Sequence, residues 1–126
     1  MSHVYARAAE LDGEPLQGDG ECVALVKTHT KVGATSGWRP EKTIKGDSTI
    51  RPGTVIATFE NERYPNRSYG NHAAFYLGQD SKGIYVVEQW RSLRKVKKRH
   101  IPFRGKDRND RYIDPSNNAD AFSVVR

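Results

Sequence analysis

The sequence predicts an α+β domain: one helix early in the chain, then a run of antiparallel strands on which it packs. Three observations carry that expectation. Cys22, Leu25, Val26 and His29 recur at i, i+3, i+4 and i+7, a single stripe of a helix. From residue 50 onward, short β-branched and aromatic runs alternate with Gly, Pro and Asn turn signals. No internal repeat or low-complexity linker interrupts the 126 residues, so one domain spanning 1–126 is expected.

Taken in order, residues 21–32 form the expected helix, with Asp19 or Gly20 as its cap and Gly33 as its stop. Cys22 shares the stripe that docks on the core, so its thiol is directed toward the sheet. Residues 33–52, rich in Gly, Thr and Ser and holding Pro40, read as a loop with at most a short helical turn, anchored by Trp38. Ile50–Phe59 supplies a Pro-Gly turn and a β-branched strand. Residues 60–71 are a polar loop carrying Tyr64 and Tyr69. A second strand covers 72–78, a turn 78–83, and a third strand 84–90. Shorter strands are expected at 96–103 and 120–125, the whole running as an antiparallel meander.

Charge narrows the partners. A net charge of +6 and a pI near 9.6 favour polyanions. The cations crowd into Arg91, Arg94, Lys95, Lys97, Lys98, Arg99 and His100, then Arg104, Lys106, Arg108 and Arg111. Such a run is ordinarily a solvated face. It lacks the regularly interleaved aromatics that stack bases, which argues against nucleic acid. Attraction to an anionic substrate polymer is the remaining reading. No stretch reaches about 18 apolar residues, so membrane insertion is not expected. The N-terminus lacks the apolar core of a secretory signal, so synthesis and folding in a reducing cytoplasm are expected. With no Cys-x-x-Cys, no His-x-x-x-His and no glycine-rich phosphate loop, neither a metal nor another cofactor is expected.

The chemistry centres on Cys22, the one cysteine of the chain. It has no partner for an internal disulfide. In the first turn of a helix it meets the positive end of the backbone dipole, which favours the thiolate. The bland alternative is a small buried hydrophobe. Among four histidines, His3 lies in a terminal segment taken as flexible, His29 late in the helix and His100 in the basic run. His72 alone opens an apolar strand. Ala73 and Ala74 beside it leave room for a helix bearing a thiol. A thiolate attacking a carbonyl carbon needs an imidazole to share and return a proton. It also needs a third group to fix the imidazole, expected as an acceptor on Nδ1.

Glu88 and Gln89, on the next strand, are the candidates for that third group. Glu88 is preferred because a carboxylate inside an apolar run is costly unless paired; pairing with a surface cation such as Arg91 is its rival explanation. The Cys22 backbone N–H is the expected oxyanion donor, with the Gln17 amide, or that of Gln89, as a second. Tyr64 and Tyr69 are candidates to line a substrate groove.

These residues resemble the papain-like amidases, in their bacterial cell-wall branch of CHAP and NlpC-type domains. Asn71-His72-Ala73 matches the papain histidine strand, and Glu88 stands two residues before Trp90, where the third group of papain stands before a tryptophan. Pro52-Gly53-Thr54 resembles the Pro-Gly-Asp strand of CHAP domains, with Thr54 for Asp, and Glu21 precedes the cysteine where many relatives have Gln. More narrowly, Gly20–Val26, Thr54–Phe59, Arg63–Asn66, Gly70–Tyr76, Val86–Trp90 and Tyr112–Asn118 resemble the second group of type VI secretion amidase effectors.

That resemblance implies a papain-like fold and a cysteine amidase or endopeptidase acting on peptidoglycan stem peptides, with the diaminopimelate–D-alanine cross-link as target. It also implies export by secretion machinery to a neighbour's periplasm, and a cognate immunity protein. Two rival readings stand beside it: a basic nucleic-acid-binding module with an inert Cys22, and a catalytically inactive relative acting as an interaction or immunity protein.

Overall fold

A computed structural model describes residues 2–126. Its elements are the helix α1 (Cys22–His29) and the strands β1 (Pro40–Thr43), β2 (Thr54–Thr58), β3 (Ala73–Gln79), β4 (Gly83–Glu88), β5 (Lys97–Pro102) and β6 (Phe122–Val125), with short 3-10 turns between them. The six strands form one antiparallel sheet in the order β1-β6-β2-β3-β4-β5. The expected α+β class holds. The topology is not a plain meander, because β6 returns from the end of the chain to lie between β1 and β2.

Alternation along the strands divides the core in two. Ala73, Phe75, Val55, Ala57 and Val87 face α1, which buries Leu25 and Val26 completely against them. Each of those two side chains contributes about 2 kcal/mol by leaving water. Ala74, Tyr76, Ile56, Ile84, Val86 and Phe122 face the opposite side.

The helix is shorter than its sequence pattern. The Thr30 hydroxyl donates to the Val26 carbonyl at 2.7 Å while its backbone turns extended, at φ −140°, so the ladder ends at His29. At the other end Glu21 is the N-cap residue, and Asp19 Oδ1 accepts from the Glu21 N–H at 2.9 Å rather than capping the helix itself.

Two further differences have local causes. Pro40-Glu41-Lys42-Thr43, read as loop, is the mostly exposed edge strand β1, where proline and charge are tolerated because one side of the ladder is unpaired. The segment around His3 is tied down: the His3 carbonyl accepts from Val55 N at 2.8 Å and Tyr5 N donates to Gly53 O at 2.9 Å. Gly53 is obligatory there. Its φ is +96°, and a Cβ would lie 2.1 Å from the Tyr5 carbonyl oxygen. Trp38 does anchor its loop, buried with Nε1 donating to the Gly33 carbonyl at 3.1 Å.

Candidate active site

Cys22 is the first residue of α1 and half-buried. No side chain caps this helix start, so the Cys22 N–H keeps the orphan-donor character of a first-turn amide. The turn ahead of the helix is clamped by a buried amide. Gln89 Oε1 accepts from Gln17 N at 2.8 Å, while Nε2 donates to the carbonyls of Gln17 at 2.9 Å and Glu21 at 2.8 Å. All of this side chain's observed bonds go to that turn. Gln89 therefore neither orients His72 nor offers an N–H to an oxyanion, and both sequence expectations for it are corrected.

His72 sits at the mouth of β3, 5% exposed, with the rings of Trp90 and Phe122 edge-on at 6.0 and 6.2 Å. Its Nε2 meets Glu88 Oε1 at 2.8 Å. The acceptor is thus on Nε2 rather than on Nδ1 as expected, and Nδ1 is the ring nitrogen left to serve the Cys22 thiol, whose charge helps to raise the His72 pKa. Glu88 is the last residue of β4, the strand beside β3 on the side away from β2.

Glu88 is 1% exposed and doubly paired. Its second partner is Arg99, not Arg91: Arg99 Nε donates to Oε2 at 2.5 Å and Nη2 to Oε1 at 3.0 Å. The register of β4 and β5 sets Lys97 opposite Glu88, so Arg99 is the diagonal neighbour on the same face. Arg99 also donates to Asn117 Oδ1 at 2.6 Å and to the Ser116 carbonyl at 3.3 Å, tying the C-terminal loop to the triad. Arg91 instead pairs with Glu21 at 3.1 Å on the surface.

Tyr64 stands directly at the sulfur, its hydroxyl 3.7 Å from Cys22 Sγ. Asn71 Nδ2 donates to that hydroxyl oxygen at 3.1 Å, which leaves the Tyr64 proton to be donated to sulfur. The backbone N–H of Ala73 also lowers the thiol's pKa. It is free because Phe75 opposite Val87 would set Gln89 across from Ala73, but β4 has already ended at Glu88.

The remaining candidates lie elsewhere. Gln17 Oε1 meets His29 Nε2 at 2.6 Å, and His29 is about 10 Å, or two helical turns, beyond Cys22. The Gln17 amide is thereby drawn away from the thiol, correcting its expected oxyanion role. Tyr69 is 80% exposed on the 60–71 loop and makes no hydrogen bond to the thiol, His72 or Glu88.

The electrostatics favour an ion pair. Burial raises the Cys22 pKa, but hydrogen bonding and charge attraction from His72, with Tyr64 and the Ala73 N–H, outweigh it and bring it below the ordinary thiol value. Burial lowers the His72 pKa, yet the sulfur and the Glu88 carboxylate together raise it to about 9. Burial likewise opposes the charge of Glu88, and His72 and Arg99 overcome it, holding the carboxyl ionised. Burial and the neighbouring sulfur push the Tyr64 phenol far up, so it remains a proton donor. A thiolate beside an imidazolium, ringed by donors at a helix start, is equipped to attack a carbonyl carbon.

Sequence reasoning missed Asn71 and Arg99 as contributors. Asn71 was visible inside its motif, and Arg99 was hidden in a run of cations.

Comparisons with known proteins place the whole chain among amidase effectors. The family model described as Domesticated amidase effector 2 (Dae2) matches residues 4–125. A Salmonella typhi protein named Type VI secretion amidase effector 2 is 45% identical over 132 residues, covering 99% of each chain. A solved structure titled Type 6 secretion amidase effector 2 (Tae2) superposes with a TM-score of 0.91 at 42% identity, covering 98% of this chain and 93% of that one.

Proposed function

The chain belongs to the domesticated amidase effector 2 family, and from that membership and the site's geometry we propose that it is a cysteine amidase that hydrolyses amide bonds in peptidoglycan peptides as an antibacterial effector. The observation that carries this reading is the buried Glu88 carboxylate on His72 Nε2 at 2.8 Å, which leaves Nδ1 for a helix-start cysteine whose charge is coupled to the imidazole.

In this reading the Cys22 thiolate attacks the carbonyl carbon of a stem-peptide bond, forming a C–S bond and an oxyanion. The Cys22 N–H stabilises that charge from the helix start. Once the sulfur is a neutral thioether, the Tyr64 hydroxyl is released from it to serve the same oxygen. The tetrahedral adduct collapses as the C–N bond breaks, and the imidazolium of His72 gives its proton to the departing amine. Water then attacks the thioester, its proton passes to His72, and the C–S bond breaks to return thiolate and imidazolium. Glu88 remains ionised throughout and keeps the imidazole aimed.

The names of the relatives support an amidase delivered by type VI secretion, and peptidoglycan is the substrate this reading assigns to it. The finer reading is that the protein acts in the periplasm of a neighbouring bacterium, on the diaminopimelate–D-alanine cross-link, while a cognate immunity protein guards the producer. Mass spectrometry of muropeptides after digestion of purified sacculi tests it. The reading expects new free amine and carboxyl ends at that cross-link with the wild type, and none with C22A or H72A. Cleavage retained by either variant would contradict the mechanism, and a different product pair would move the bond.

A further inference from the structure

A cavity of about 800 Å³ has one wall residue bonded to His72 and two others next in the chain to residues that pack on His72 or bond Arg99. Its wall residue Thr58 exchanges two bonds with the His72 backbone, donating from N to the His72 carbonyl at 3.0 Å and accepting from His72 N on Oγ1 at 3.0 Å. Ala121, also in the wall, precedes Phe122, whose ring packs edge-on against His72. Pro115 precedes Ser116, whose carbonyl accepts from Arg99. The cavity wall is thus bonded directly to the backbone of His72.

The cavity's charge is uneven in a telling way. Arg67 is neutralised by Glu60, and Lys106 meets Asp110 at 3.4 Å. Arg111 also lines the cavity. Its backbone N–H is bonded to Asp107 Oδ1 at 3.1 Å, but its guanidinium has no acidic partner among the described residues. An uncompensated guanidinium is a fork of donors matched to a carboxylate. Peptidoglycan stem peptides carry free carboxylates beside their amide bonds. We propose that Arg111 anchors a free carboxylate of the stem peptide in this cavity, and so selects acidic over amidated stems. The inference rests on the peptidoglycan reading given above and adds to it the substrate feature that the enzyme recognises.

The test pairs a protein change with a substrate change. Soluble muropeptides, native or amidated with ammonia through carbodiimide coupling, are digested by the wild type, R111A and R111K. The anchor predicts that R111A raises KM on native muropeptides roughly ten-fold with kcat unchanged, as loss of a charge-assisted hydrogen bond in ground-state binding requires. Amidation raises the wild-type KM by a similar factor and adds nothing further in R111A, while R111K recovers part of the affinity. The anchor is overturned if R111A binds native muropeptides as the wild type does, or if amidation penalises both proteins equally. Absence of any wild-type product would instead defeat the hydrolase reading, a result distinct from an anchor that fails while turnover persists.

Discussion

Glu88 and Gln89 are adjacent in the chain, yet they hold opposite halves of the site. Glu88 bonds the imidazole of His72, and Gln89 bonds the turn from which the Cys22 helix starts. Strand alternation accounts for the division: Val86 and Glu88 face away from α1, while Val87 and Gln89 face toward it. One dipeptide thus braces both the imidazole and the turn that leads into the cysteine helix.

The two neighbours should fail differently. E88Q removes an anion that helps raise His72. Activity requires the imidazolium and is lost as pH rises through the His72 pKa of about 9, so the alkaline limb of kcat/KM moves to lower pH in this variant. At neutral pH the rate falls at least about ten-fold. A pH–rate profile checks both, and an alkaline limb that stays in place would contradict the role of Glu88.

Q89A cuts three hydrogen bonds of a fully buried amide. It should lower stability by about 3 kcal/mol, read as a reduced urea midpoint, while leaving the alkaline limb where the wild type has it. A shifted limb with wild-type stability would reverse the assignments of these two residues.

R99M should act at the acid end. Glu88 has its pKa depressed first by His72 and then by Arg99, against burial. Such a group stabilises the fold above its unfolded pKa, and that contribution is lost as pH falls through the folded value. Without Arg99 the folded value rises, so activity and stability both begin to fall at a higher pH. Arg99 is partly exposed, with 27% of its side chain accessible, so the loss at neutral pH is about 2 kcal/mol, below that of a fully buried pair. R99K should recover part of it. Denaturation midpoints measured across pH 3 to 7 check the prediction, and an unmoved acid transition would sink it.

Y64F should weaken the thiolate without emptying the site. The ring still packs on Trp38 at 5.0 Å, but the proton aimed at sulfur is gone, so the Cys22 pKa rises and kcat drops roughly ten-fold. N71A, which removes the bond that orients the Tyr64 hydroxyl, should give a smaller change in the same direction. Wild-type kcat in Y64F would exclude the hydroxyl from the mechanism.

The proposed nucleophile Cys22, base His72 and carboxylate Glu88 are legible because each sits in a local pattern: a helix stripe, a strand opening, and a charge inside an apolar run. What the sequence withheld depends on register. Gln89 was read as a substitute for Glu88 because residue spacing alone does not say which face of β4 turns toward the helix. Arg99 reaches Glu88 diagonally across two strands, a relation that a run of seven basic positions conceals. The edge strand β1 carries proline and charge and so lacks a strand's composition. The seat of β6 between β1 and β2 is a long-range pairing that no local pattern encodes. Helix length was overestimated because the apolar stripe says nothing of the Thr30 hydroxyl that ends the ladder.

Alkylation of Cys22 by iodoacetamide as a function of pH tests the thiolate–imidazolium pair most directly, since no other cysteine is present to label. The wild type should react fast well below the range where an ordinary thiol ionises, and H72A should lose that acidic reactivity and follow an ordinary thiol curve. Identical profiles for the two proteins, both rising only near the usual thiol pKa, would contradict the account.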